Sequence, residues 1–175
     1  MRAVFTYFTQ ISLFLFLLVG FHAQAQNVQW LSWDEAYQLS QTDANPKKIF
    51  VDVYTDWCGW CKKMDKNTFQ NPEVAEFMSK NFYMVKFNAE KSKNPIKYGG
   101  EKYKFVPHGR SGYHEFAVML LNGRLSYPTV VFIDTEKNII VPIPGYRKPK
   151  QFLEIAEVFT SDDYFRQLRR VTSRQ

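Results

Sequence analysis

The sequence predicts an α/β fold, a central mixed β-sheet flanked by helices, and three observations carry that expectation. Runs rich in β-branched and aromatic residues alternate with stretches of helical spacing, in the order helix, strand, helix, strand, helix, strand, strand, helix. The apolar run 48–54 carries an acid, Asp52, in its middle, which suits a buried central strand. The chain has only two cysteines, Cys58 and Cys61, and they lie where that run hands over to a helix-like stretch at 62–68.

Each element has a local reason. Ser32, Trp33, Asp34 and Glu35 fit a capping box, so a short helix starts there and ends near Asn45-Pro46. After the cysteines, Met64 and Phe69 stand at core spacing on a helix. Asn71 caps its restart, with Pro72 at the first helical position and Val74, Phe77 and Met78 facing inward. Residues 82–88 read as a second strand and 112–121 as a helix stopped by Asn122-Gly123. Residues 129–133 and 138–141 read as two strands joined by a short turn, hence an antiparallel pair. Phe152, Ile155, Ala156 and Phe159 form the apolar stripe of a further helix, and Ser161-Asp162-Asp163 reads as the cap of a last polar one. Residues 91–110 are polar and too long for an ordinary connection, which predicts a β-hairpin or an excursion over the active face.

The N-terminus reads as an export signal. Arg2 precedes an apolar stretch at 11–21, and Ala23-Gln24-Ala25 offers a small-x-small cleavage site. The stretch is about half the ~20 residues a membrane-spanning helix needs. The expected organisation is a signal peptide over residues 1–25 and one domain over 26–175. Loss of Arg2 lowers the formal charge from +6 to +5, and the basic residues are scattered, so the surface is mildly basic and not a nucleic-acid footprint. In an oxidising compartment an idle cysteine pair closes into a disulfide unless something keeps reducing it.

A lone C-x-x-C at a strand-to-helix junction suits thiol-disulfide exchange: one sulfur near the helix N-terminus, and a second one turn away to resolve the mixed disulfide. Two other readings of the pair compete with it. With His108 and His114 the cysteines would make a Cys2His2 zinc site, although nothing in the sequence places those histidines nearby. A purely structural disulfide closing so small a loop would constrain the unfolded chain little.

The run from Phe50 through Asp52, Trp57, Cys58, Gly59, Trp60, Cys61 and Lys62, with Met64-Asp65 and Thr68-Phe69 after it, resembles the thioredoxin superfamily. It is most similar to exported thioredoxin-like proteins and to the C-terminal domain of membrane thiol:disulfide interchange proteins. Tyr127-Pro128-Thr129 matches that family's cis-proline segment, and Gly145-Tyr146 its late glycine. The likeness spans residues 29–159, except 91–110, which would be an insertion before the cis-proline segment.

The resemblance implies a thioredoxin-like fold and a redox-active Cys58–Cys61 disulfide. Cys58 would be the nucleophile, its thiolate favoured by the helix N-terminus, and Cys61 the resolving thiol. Asp52 would be the proton acceptor for Cys61 if it is buried, or an ordinary solvated acid if its strand lies at an edge. Trp57, Trp60, Tyr127 and Pro128 would form the substrate-binding face, with Lys62 and Lys63 either raising the local potential or merely solvated. The Gly-Trp between the cysteines departs from the Gly-Pro of thioredoxin, and that dipeptide helps set redox poise. The implied partners are protein thiols and disulfides and a membrane thiol reductant as electron donor, in a periplasm. No metal and no cofactor is expected, since neither a cofactor motif nor a second cysteine pair is present. The alternative of another class is a thioredoxin-fold binding module with an idle disulfide.

Overall fold

The computed structural model describes residues 28–109, 111–138, 142–161 and 164. The export signal at 1–25 and the expected cap at Asp162-Asp163 lie outside the described residues. Helix α1 (Trp33–Thr42) starts on the expected capping box: the Ser32 side chain accepts from the Glu35 amide and Glu35 Oε2 accepts from the Ser32 amide at 2.8 Å. β1 (Lys48–Tyr54) follows, then α2 (Gly59–Met64), which runs into a π-helical turn at Asp65–Phe69. α3 (Pro72–Asn81) is capped by Asn71, whose Oδ1 accepts from Val74 N at 3.2 Å. β2 (Phe82–Asn88) closes this first half.

β1 pairs parallel with β2 and antiparallel with β7 (Thr129–Ile133), which pairs in turn with β8 (Ile143–Pro144). The sheet order is β2-β1-β7-β8, so β1 is interior and the edge position considered for Asp52 is ruled out. The strand expected at 138–141 falls mostly on residues outside those described. The segment that pairs with β7 is Ile143–Pro144, after a turn in which Asn138 N donates to Asp134 Oδ1 at 2.7 Å.

Alternation along β1 divides the core. Ile49, Val51 and Val53 face α1 and α4 (Glu115–Leu120), with Trp33, Phe116 and Leu120 packed there. Phe50 faces α2, α3 and α5 (Pro149–Val158), where Phe69, Met78, Phe132 and Phe152 surround it. Full burial of a ring such as Phe50 contributes about 1.5–3 kcal/mol.

Two antiparallel strand pairs follow β2: β3 (Ile96–Tyr98) with β4 (Glu101–Tyr103), and β5 (Phe105–His108) with β6 (Ser111–His114). The first buries Ile96 and Tyr98 against the α1 side of the core. The helix expected at 112–121 therefore begins only at Glu115. Gly112 is the reason: at φ +153° it holds a backbone conformation that L side chains rarely adopt, and the Phe105 ring crosses so close that a Cβ would lie 2.3 Å from it. His114 caps α4, its Nδ1 accepting from Phe116 N at 3.1 Å while Nε2 lies 3.0 Å from the Asn94 carbonyl. The expected stop holds, with Gly123 N donating to Val118 O at 2.8 Å.

Candidate active site

The C-terminal end of β1 delivers the chain into α2, and the cysteines occupy that corner. Cys58 is the N-cap of α2, and Cys61 N points at Cys58 Sγ at 3.0 Å. The two sulfurs are joined in a disulfide with Cα atoms 5.3 Å apart. Each cysteine is 4% exposed, so burial alone does not distinguish attacking from resolving sulfur. What distinguishes them is the amide aimed at Cys58 Sγ, an interaction that favours negative charge on that sulfur.

Because Phe50 faces α2, period-2 alternation sends Asp52 to the same side. It is 1% exposed, and among the described residues its Oδ1 has no hydrogen-bond partner. Burial pushes its carboxyl up to about 7; the Lys86 ammonium opposes that rise and the Asp65 carboxylate adds to it. Asp52 and Cys61 line one cavity of about 440 Å³, together with Thr55, Lys62, Asp65 and Lys86.

Lys86 and Asp65 are site residues that the sequence reading did not single out. Lys86 stands opposite Asp52 in the parallel register and pairs with Asp65 at 2.6 Å, its ammonium also lying 5.1 Å from the Trp30 ring centre. The signal was present: Lys86 shares the strand phase of the buried Phe82 and Met84, and Asp65 lies one helical turn beyond Cys61.

Of the residues expected on the substrate face, Trp57 and Trp60 flank Cys58 in the chain and Tyr127 meets Trp57. Trp57 is 67% exposed and Trp60 56%, which is unlike ordinary core packing of large aromatic rings. Trp57 meets Tyr127 edge-on at 6.0 Å and donates its indole N–H to Glu90 Oε2 at 3.0 Å. Trp60 lies 5.5 Å from Tyr146, with Lys63 Nζ 4.7 Å from the Trp60 ring centre. Lys63 is thus exposed yet seated on aromatic rings, beyond the simple solvated role. Burial and, after it, the Glu90 carboxylate raise the Tyr127 phenol to about 12. The Tyr127–Pro128 peptide is cis, Pro128 is buried, and Gly145 N donates to Pro128 O at 2.7 Å.

The histidines do not serve the cysteines. His114 is fully buried in the bonds already described, and burial lowers its basicity; His108 is an exposed hairpin residue. Among the described residues no group of His, Cys, Asp and Glu is arranged to hold a metal ion. No helix among them is long and apolar enough to cross a membrane.

A four-stranded mixed sheet with a C-x-x-C disulfide at the end of an interior strand defines the class by architecture: this is a thioredoxin-like fold. It is similar to a solved structure of the DsbH oxidoreductase at a TM-score of 0.55 and 21% identity, covering 80% of this chain and 90% of that one. A thioredoxin from Thermus thermophilus matches at a TM-score of 0.55 and 17% identity, over 78% of this chain and 89% of that one. The family profile Thioredox_DsbH, described as a protein of unknown function (DUF255), matches residues 15–98.

Among sequences, an uncharacterized protein of Archaeoglobus fulgidus is 29% identical over 65% of this chain and 84% of its own length. The disulfide bond reductase DsbH of Chlamydia pneumoniae is 38% identical over 35% of this chain. The thiol:disulfide interchange protein DsbD of Tatumella citrea is 30% identical over 69% of it. The matched segments span 36% of the Chlamydia protein and 17% of the Tatumella protein.

Proposed function

We propose that this chain is a thiol-disulfide oxidoreductase that reduces protein disulfides through the Cys58–Cys61 couple. The observation that carries the reading is the shared cavity of Asp52 and Cys61: a buried carboxyl with Oδ1 unbonded, poised near neutrality, lining the same space as one sulfur-bearing residue of the disulfide. In the reduced protein the Cys58 thiolate attacks a substrate disulfide, forming a mixed disulfide and releasing one substrate thiolate. The Cys61 thiol gives its proton to Asp52, attacks Cys58 Sγ and frees the second substrate sulfur. The substrate gains two electrons and the protein is left with the disulfide seen in this structure.

The similarity to a named disulfide bond reductase and to interchange proteins supports the reducing sense. Sustained turnover then needs a donor to reopen the pair, and a membrane thiol reductant is the class that fits an exported chain cut after Ala25. The mature domain is residues 26–175, with residues 91–110 as its insertion. Cys61→Ser tests the reading, because it leaves an attacking thiol with nothing to resolve it. Incubation with a disulfide-containing protein should accumulate a mixed disulfide at Cys58, and Cys58→Ser should abolish it. Equal trapping by both variants, or none by either, would remove the assignment.

A further inference from the structure

The face around the disulfide carries opposite charge at its two ends. β2 and β8 are the outer strands of the sheet. After β2 comes Glu90, beside Trp57 and Tyr127; after β8 comes Tyr146, beside Trp60 and Lys63. Cys58 lies between them in the chain segment that carries both tryptophans.

Among the described residues, neither charge is neutralised where it sits. Glu90 Oε2 accepts from the Trp57 indole at 3.0 Å and from the Ser111 hydroxyl at 3.3 Å, and both donors are neutral. Among the described residues no cation pairs with it. Lys63 Nζ rests 4.7 Å from the Trp60 ring centre and 5.5 Å from that of Tyr146, partners that attract a cation without cancelling its charge. Each exposed indole thus presents an apolar ring with a fixed charge at its border, negative for Trp57 and positive for Trp60.

We propose that this polarity orients the substrate: the face takes an extended protein segment with a cation on the Trp57 side of its cysteine and a carboxylate on the Trp60 side. The inference rests on the redox reading above and names its substrate class. An arginine is the best complement to the first end, because its guanidinium stacks on an indole and bonds a carboxylate in the same pose. At the other end, a substrate glutamate lays its methylenes on Trp60 and meets the Lys63 ammonium. The Ser111 bond brings the β5–β6 hairpin into this arrangement, since it holds the carboxylate that defines the negative end.

Binding tests the orientation without requiring exchange. Two peptide isomers are needed, one with Arg before and Glu after a central Ser, the other reversed, with a Gln/Gln peptide as reference. Their affinities for the Cys58→Ser/Cys61→Ser protein are read from Trp57 and Trp60 fluorescence. Two half-exposed charge contacts of ordinary strength predict that one isomer binds about tenfold tighter than the other. That preference should collapse in about 0.5 M salt, where screening acts within a few ångströms. Glu90→Gln, which keeps an acceptor for the Trp57 indole, should reduce it, and Lys63→Glu with Glu90→Gln should abolish or invert it. Isomers equal within about twofold, or a preference indifferent to both substitutions, would overturn the inference. The same peptides, with Cys in place of the central Ser and presented as mixed disulfides to the reduced wild-type protein, separate the two claims. Exchange without orientation preference sinks this inference alone; preference without exchange sinks the redox reading alone.

Discussion

Asp52 and Cys61 open onto the same cavity, and the Asp52 carboxyl enters it with Oδ1 unbonded among the described residues. A carboxyl left in that state serves stability badly, which is why its placement in one cavity with a cysteine of the disulfide points to chemistry.

Asp52→Asn should therefore separate activity from stability. The carboxyl is raised in the folded protein from an ordinary 3.8 to about 7. Its protonated form is the one the fold favours, so it lowers stability progressively as pH rises from about 4 to about 7 and by a constant amount above that. Urea unfolding above pH 7 should find the variant more stable, by up to the order of 4 kcal/mol. Exchange near neutral pH should meanwhile slow by on the order of 100-fold, the usual scale for loss of a proton acceptor. A variant as active as wild type and no more stable would remove Asp52 from both roles.

The Lys86–Asp65 pair should set where the exchange rate titrates. Lys86 lowers the Asp52 carboxyl and Asp65 raises it. Asp65→Asn removes a like charge and frees Lys86 to act on Asp52, so the inflection of the pH-rate profile should move to lower pH. Lys86→Met should move it to higher pH, each by roughly one unit. Stopped-flow rates from pH 5 to 9 decide the matter; shifts of the same sign in both variants would contradict the electrostatic account.

How much of this was legible in the sequence depends on the range of the interactions. The capping box at Ser32, the Asn71-Pro72 restart and the interior strand around Asp52 depend on neighbours within a few residues or on period-2 phase, and each stands as read. The helix expected at 112–121 failed at Gly112, because the Phe105 ring that fixes it comes from across a hairpin. Lys86 and Asp65 escaped notice for the same reason: they lie 34 and 13 positions from Asp52 and meet it only after β2 pairs with β1 and α2 packs on the sheet. Tyr146 was legible only as the neighbour of a glycine, and its ring contact with Trp60 is tertiary.

Gly112 should be intolerant of a side chain. Alanine there would place Cβ against the Phe105 ring at a φ that L-residues rarely adopt. Gly112→Ala should cost roughly 1–3 kcal/mol, with amide exchange of β5 and β6 rising most. An unchanged melting temperature would show that the hairpin rearranges freely.

His114 should matter for folding and not for exchange. It is buried, caps α4 and reaches Asn94, so His114→Ala should cost about 2–3 kcal/mol. Burial lowers its basicity in the folded state, so its contribution to stability is complete above the ordinary imidazole range and is lost as pH falls below about 6.5. In the Asp52→Asn background, where the opposing carboxyl titration is absent, this acid-side loss should be visible in urea midpoints and should vanish with His114→Ala.

The reduction potential of the Cys58–Cys61 pair tests the central claim most directly. The purified protein is equilibrated in graded thiol-disulfide buffers and followed by fluorescence of Trp57 and Trp60. The account predicts a reversible two-electron transition near the ~−270 mV of thioredoxin, reducing enough to open substrate disulfides. A potential near the ~−120 mV of a strong oxidant would reverse the proposed direction, and a pair that never opens reversibly would leave a structural disulfide in a binding module.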